Sequence, residues 1–329
     1  MTRTFLIDTD GGSDDVVALI MALRSSAVRV RAITTVAGNV PVEQATRNVL
    51  YTVELCAAET PVFAGAERPL VKKLETAQWF HGRDGLGDHG YAPQRRRPDA
   101  AHAVDAIART VLANPGLEIV TLGPLTNLAL AIEREPKIVR AIGRLVVMGG
   151  APCCEGNVTP AAEFNIWVDP EAAKMVFRAG LPIEMVGWHL CRGAAALNQQ
   201  DIDRILALKT PVAEFAVRCN SVAAEAYHTQ TGERGISLPD VPTTIEAGFP
   251  NSDYEFWVGA FAPAATPRTL VERLNQEIVK ALGTSSVRER LNALGGLPTP
   301  ITALAFADQF KREVDMNTRL VKAVGLQPN

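Results

Sequence analysis

Residues 5–19 read Phe5-Leu6-Ile7-Asp8-Thr9-Asp10-Gly11-Gly12-Ser13-Asp14-Asp15-Val16-Val17-Ala18-Leu19. Three apolar residues, Phe5 to Ile7, have the character of a buried strand. Gly11 and Gly12 turn the chain, and Asp14 to Leu23 carry the apolar spacing of a helix with Ser13 as its cap. Four carboxylates, Asp8, Asp10, Asp14 and Asp15, therefore meet at one strand-to-helix corner. A helix N-terminus offsets only part of their mutual repulsion, and a hard, oxygen-seeking cation would offset the rest.

An EF-hand calcium loop starting at Asp8 needs a Gly at its sixth position, a Glu at its twelfth and a helix before it. Ser13 and Leu19 hold those positions and a strand precedes, so that reading fails. A phosphatase of the haloacid dehalogenase type also follows a strand with Asp-x-Asp-Gly and uses the first Asp as nucleophile. Its later Lys and paired-Asp motifs have no convincing counterpart downstream, which leaves it a weaker alternative. A plain helix cap needs one acid, not four.

Outward from this corner the chain alternates β-branched runs with amphipathic stretches to about residue 210. Strands are expected at Val28 to Val36, Pro61 to Ala64, Leu117 to Leu122, Arg144 to Met148 and Pro182 to Val186. Helices are expected at Val42 to Ala58, His102 to Ala113, Leu125 to Glu135, Pro170 to Ala179 and, as one long element, Pro211 to Gln230. This alternation specifies an α/β fold: a mostly parallel sheet with helices on both faces and active groups at the carboxyl ends of its strands.

Two further stretches follow the ends of later strands. Thr121-Leu122-Gly123-Pro124-Leu125-Thr126-Asn127-Leu128 is a strand end, a turn and a helix start. Glu155-Gly156-Asn157 leads through Glu163-Phe164-Asn165 to Asp169-Pro170-Glu171-Ala172-Ala173. In an extended segment Glu163 and Asn165 face one side and Phe164 the other, while Asp169 and Pro170 start a helix. Asn39 ends the second strand at the same sheet edge as Asp10. Residues 81–91, Gly-rich and polar, have the composition of a mobile lid.

Asp8 to Asp15, with Gly11 where a Pro is usual, together with these two stretches, resembles the inosine-uridine-type nucleoside hydrolases. The resemblance implies hydrolysis of the N-glycosidic bond of a small-molecule nucleoside and a calcium ion (Ca2+) as cofactor. The ion would be held by Asp10, Asp15, Asp240 and the Thr126 carbonyl, with Asp8 as a neighbouring support. Asp10 would be the catalytic base that takes a proton from the attacking water. Asp14, Asn39, Asn157, Glu163 and Asn165 would orient the ribose, and His81, Tyr227 and His228 would stand near the base. Relatives of this kind are dimers or tetramers, so a homo-oligomer is expected. His189 occupies the place of a family Asp and reads as a hydrogen-bonded interior group.

From Leu238-Pro239-Asp240 onward the sequence resembles instead the substrate-binding receptors of tripartite tricarboxylate transporters, through Trp257 to Pro267 and the helix Leu270 to Leu282. The expected division is 1–240, hydrolase-like, and 241–329, a partial receptor-like segment forming a small helical appendage. A scaffold disabled by that replacement, retaining metal or ribose affinity without turnover, is the rival to an active enzyme.

The totals allow one large α/β domain, or one domain with a smaller appendage. A net charge of -3 over 329 residues argues against a nucleic-acid surface. No apolar run approaches the ~20 residues that span a bilayer, and Met-Thr-Arg-Thr leads straight into a strand, so a cytoplasmic protein is expected. The five cysteines are too scattered for a disulfide scaffold and read as buried or loop thiols.

Overall fold

Successive residues of the first strand enter opposite cores. Leu6 packs with Ile107, Ile119, Leu128, Leu145 and Val176, whereas Ile7 packs with Leu19, Ile33, Val49 and Val62. Side chains alternate across a strand, so two apolar neighbours demand a sheet covered on both faces. A computed structural model describes residues 2–152, 154–191, 197–231, 266–293, 300–308 and 310–311, in two compact units, Met1–Phe256 and Trp257–Asn329.

In chain order the first unit contains β1 (Arg3–Thr9), α1 (Ser13–Arg24), β2 (Val28–Thr35), α2 (Val42–Leu55), β3 (Val62–Ala64), α3 (Gln78–His81), α4 (Ala103–Ala113) and β4 (Glu118–Thr121). There follow α5 (Thr126–Arg134), α6 (Ile138–Ala141), β5 (Arg144–Met148), α7 (Phe164–Val168), α8 (Pro170–Arg178), β6 (Ile183–Val186), α9 (Gln199–Leu206), α10 (Pro211–Arg218) and α11 (Ser221–Thr231). Among the described residues every pairing between these strands is parallel, in the order β3-β2-β1-β4-β5-β6. In that order the chain leaves β1 in both directions, and the crevice at the carboxyl ends of β1 and β4 is where such sheets bind ligands. Leu122 N–H donates to Asp8 O at 2.8 Å across that point.

The helices follow from local chemistry. Asp169 caps α8 by accepting from Ala172 N–H at 3.0 Å, with Pro170 in the first turn, as expected. The cap of α1 differs from expectation: Gly12 is the N-cap and Ser13 is already helical. The expected helix Pro211 to Gln230 is two helices, because the Asn220 side chain donates to Ala216 O (3.0 Å) and Ser13 O (3.3 Å) at the break. A polar side chain bonded to backbone carbonyls competes with the helix at that position.

The second unit contains α12 (Arg268–Leu282) and α13 (Ser285–Ala293), with a further helical run at 303–308. The expected junction at 238–240 lies outside the described residues. Among the described residues no helix is long and apolar enough to cross a membrane.

Candidate active site

At the end of β1 the chain must pass from sheet to helix beneath α2. Gly11 makes this possible: its φ is +66°, and a Cβ there would stand 2.8 Å from Ala45 O. Proline, fixed near -65°, has no access to this backbone, so this turn depends on glycine. Thr9 Oγ1 donates to Asp15 Oδ2 at 2.7 Å, and Gly12 N–H donates to the same oxygen at 3.3 Å, folding the corner back on itself.

Asp8, Asp10 and Asp15 are buried, with exposures of 0%, 0% and 4%. Asp8 Oδ1 accepts from Thr34 Oγ1 (2.5 Å) and Asn127 Nδ2 (2.8 Å). Asp10 accepts from Asn39 twice, Oδ2 from the backbone N–H (2.7 Å) and Oδ1 from the side-chain amide (3.1 Å). Gly38 permits this approach, since a Cβ there would stand 2.1 Å from Asp10 Oδ2. Among the described residues three buried side-chain oxygens have no hydrogen-bond partner, and two of them, Asp8 Oδ2 and Asp14 Oδ1, belong to this corner.

The electrostatics record the crowding. Burial pushes the Asp8 carboxyl up to about 7 against the pull of Thr34 and Asn127, and the Asp10 charge adds to the rise. Burial also raises Asp10, against hydrogen bonds from Asp15 and Asn39. Asp15 is held well above the ordinary carboxylate range by burial and then by the charges of Asp10 and Asp14. A cation reverses this logic, because its charge favours the ionised carboxylates. The donor chemistry fits a hard cation: oxygen only, anionic, with two buried oxygens free of other partners. Three or more acidic, thiol or imidazole groups do not close into one metal cage among the described residues. Asp240, expected to complete the shell, lies outside them.

Thr126 is the first residue of α5, and its side chain is already engaged, with Oγ1 donating to Asp169 Oδ2 at 2.6 Å. That bond commits the hydroxyl proton to Asp169. Asn127, next in the chain and fully buried, joins Asp8 Oδ1 to Thr35 O (2.9 Å) and accepts from Ala66 N–H (2.9 Å). This support was not singled out from sequence, although it stands inside the Gly-Pro-Leu-Thr-Asn run and a buried Asn beside a helix start is the signal for it.

Asp14, Asn39, His81, Asn157, Glu163 and Asn165 line one pocket. Glu163 and Asn165 reach it by a route other than the expected extended segment. Glu163 caps α7, accepting from Asn165 N–H (2.9 Å), Ile166 N–H (3.2 Å) and Gly150 N–H (2.8 Å). Burial outweighs these donors and raises its carboxyl. Because the segment is helical, Phe164 lines the pocket too instead of facing away. The Asn165 amide donates to Leu122 O (2.8 Å) and Met148 O (3.2 Å), tying the ends of β4 and β5 together. Asn157 Oδ1 accepts from Phe164 N–H at 2.8 Å. Asn157 and Asn165 both line the pocket, and the Asn157 amide N–H2 and the Asn165 side-chain oxygen have no hydrogen-bond partner among the described residues, which leaves one donor and one acceptor uncommitted.

Aromatic residues complete the wall: Trp79, Phe80 and Trp188 beside Phe164. None was singled out from sequence, and Trp79 and Phe80, adjoining His81, were the nearest to being found. Tyr227 and His228 lie on α11, but their side chains fall outside the described residues. His189 is exposed, not interior. Residues 81–91 are tied internally: the Asp84 carboxylate accepts from Leu86, Asp88 and Gly90 N–H at 2.7, 2.9 and 3.1 Å, and Leu86 is fully buried.

Residues 5–290 match the family described as inosine-uridine preferring nucleoside hydrolase. The match takes in much of the stretch from 238 onward, and nothing in these similarities supports a receptor-like origin for it. An uncharacterized Schizosaccharomyces pombe protein is 44% identical over 184 residues, 55% of this chain and 59% of that relative, so the chain spans under two thirds of its length. The pyrimidine-specific ribonucleoside hydrolase RihA of Salmonella typhimurium is 41% identical over 250 residues, 74% of this chain and 79% of that protein. Among solved structures, a plant nucleoside hydrolase superposes with a TM-score of 0.68 at 32% identity, covering 76% of this chain and 79% of the other.

Proposed function

This chain belongs to the inosine-uridine preferring nucleoside hydrolase family, and from that membership we propose that it cleaves the N-glycosidic bond of ribonucleosides with calcium held by Asp10, Asp15, Asp240 and the Thr126 carbonyl. The observation that carries this reading is the pair of buried, unpartnered oxygens, Asp8 Oδ2 and Asp14 Oδ1, within a corner of four carboxylates. When bound, a divalent cation supplies charge that favours ionised carboxylates and lowers the pKa of nearby water.

The remaining chemistry belongs to this chain's residues. Asp10 is the base for the attacking water, held in place by its two bonds from Asn39. Asp14, Asn39, Asn157, Glu163 and Asn165 orient the sugar hydroxyls, and fixed orientation removes several kcal/mol, roughly, from such a barrier. Phe164 and Trp188 exclude water from the sugar as positive charge develops at the anomeric carbon. His81 lines the same pocket and is the residue we assign to the departing base. The pyrimidine specificity in the name of the Salmonella relative supports uridine and cytidine as the first substrates to try.

The test is product analysis with inosine, uridine and cytidine. Free ribose and free base are expected, with no cleavage of a generic aryl phosphate. Cleavage of the aryl phosphate alone would overturn the assignment in favour of a phosphatase.

A further inference from the structure

We propose that Ser13 is a positioning residue that fixes His81 as the neutral tautomer carrying its proton on Nε2. The His81 ring thereby offers an N–H to the departing base. The catalytic consequence rests on the nucleoside hydrolase reading of the pocket; the tautomer assignment does not.

Ser13 is fully buried, and its Oγ lies 2.9 Å from His81 Nδ1. It stands inside the first turn of α1 and caps nothing, and no other hydrogen-bond partner for this hydroxyl exists among the described residues. A hydroxyl carries one proton, and a buried O–H without an acceptor loses its hydration with no return. If Nδ1 carried the ring proton, it would donate to Oγ and leave the serine proton stranded in the interior. With Nδ1 as acceptor both groups are satisfied, and in a neutral imidazole the proton then sits on Nε2.

Both partners are held independently of this bond. The Ser13 carbonyl accepts from Asn220 Nδ2 (3.3 Å) and from Cys219 Sγ (3.6 Å) at the break between α10 and α11. His81 donates its backbone N–H to Ala77 O and accepts from Gly87 N–H, both at 3.0 Å. The Phe80 ring meets the imidazole edge-on at 4.9 Å between centroids. The imidazole lines the pocket with Asp14 and Asn39, and Nε2 has no partner among the described residues. An N–H at that point donates a hydrogen bond to a ring nitrogen or oxygen of the base as negative charge collects there, with no proton leaving the imidazole.

Two readouts test this on the intact chain. Nitrogen-15 NMR of the imidazoles at neutral pH, with the His81 signal assigned by its loss in His81→Gln, should show the proton on Nε2. Ser13→Thr should keep that pattern and Ser13→Ala should mix the tautomers. In kinetics, Ser13→Ala should lower kcat for uridine relative to kcat for nitrophenyl riboside, whose leaving group needs no donor, by roughly tenfold. The KM for uridine should change little, and Ser13→Thr should restore the ratio. A proton on Nδ1 in the wild-type protein overturns the proposal, as does a Ser13→Ala variant that slows both substrates equally. Should Ser13→Ala fail to fold, the wild-type tautomer still decides. A wild-type protein with Nε2–H and no nucleoside turnover refutes the hydrolase reading while leaving the tautomer assignment in place.

Discussion

Asn39 grips Asp10 with two hydrogen bonds, 2.7 Å from its backbone N–H and 3.1 Å from its side-chain amide, so the loop after β2 fixes the carboxylate at the end of β1. Asn39→Ala keeps the first bond and removes the second, leaving a buried charge short of a donor. A lost bond of this kind costs about 1–3 kcal/mol. The expected result is kcat lower by roughly ten- to a hundredfold with folding intact, checked by steady-state kinetics beside a thermal melt. Asp10→Ala should abolish turnover in the same assay.

Raised carboxyls give the metal-free protein an unusual pH response. A carboxyl whose pKa is higher in the folded state contributes stability that is complete below its unfolded pKa and is lost as pH rises through the folded value. For Asp8 that window runs from the ordinary carboxylate range up to about 7, with Asp10, Asp15 and Glu163 displaced in the same direction. Calcium-stripped protein should therefore have a lower Tm at pH 8 than at pH 5, and added calcium should raise Tm more at pH 8. Calorimetry at the two pH values checks this; an equal calcium effect at both would contradict it.

Thr126 separates side chain from backbone. Its hydroxyl holds Asp169, and Asp169 in turn accepts from Leu70 N–H at 2.9 Å and caps α8. Thr126→Val removes this bond and leaves the carbonyl where it was. The expected cost is about 1–2 kcal/mol of stability, with far less loss of turnover than in Asp10→Ala. Urea unfolding and kcat measured together distinguish the two effects.

Asn165 offers a sharper contrast. Its amide donates to two carbonyls, Leu122 O and Met148 O. Asn165→Asp sets a carboxylate against both oxygens, so it should destabilise more than Asn165→Ala, by about 1–3 kcal/mol. A melt in which the Asp variant equals or exceeds the Ala variant would show that this tie is not what holds the ends of β4 and β5.

The strands and most helices were legible because β-branched runs and amphipathic spacing are local signals, and Arg144–Met148 falls where its pattern puts it. The acidic corner was legible because Asp8, Asp10, Asp14 and Asp15 stand so close in the chain that their charges repel unless a cation lies among them. What escaped depends on distant partners. Asn127 meets Asp8 across 119 residues, and Ser13 meets His81 across 68. Ser13 before Asp-Asp reads locally as a cap, yet the cap is Gly12 and the serine turns to an imidazole on another segment. Phe164 falls on the far side only under strand alternation, and the Glu163 cap starts a helix there instead. The break at Cys219 and Asn220 is hidden from local reading because Asn220 finds its carbonyl partner, Ser13 O, 207 residues away in the chain.

On the proposed reading, nucleoside cleavage depends on a calcium ion held at the acidic corner by Asp10 and Asp15, with Asp8 in support. Stripping the protein of divalent ions, titrating calcium back and following ribose release from uridine, with Asp10→Ala alongside, tests this dependence. Turnover that vanishes on stripping, returns in proportion to calcium bound and never appears in Asp10→Ala is the predicted result. Undiminished ribose release from the stripped protein would rule out the metal dependence, and from Asp10→Ala it would rule out Asp10 as the base.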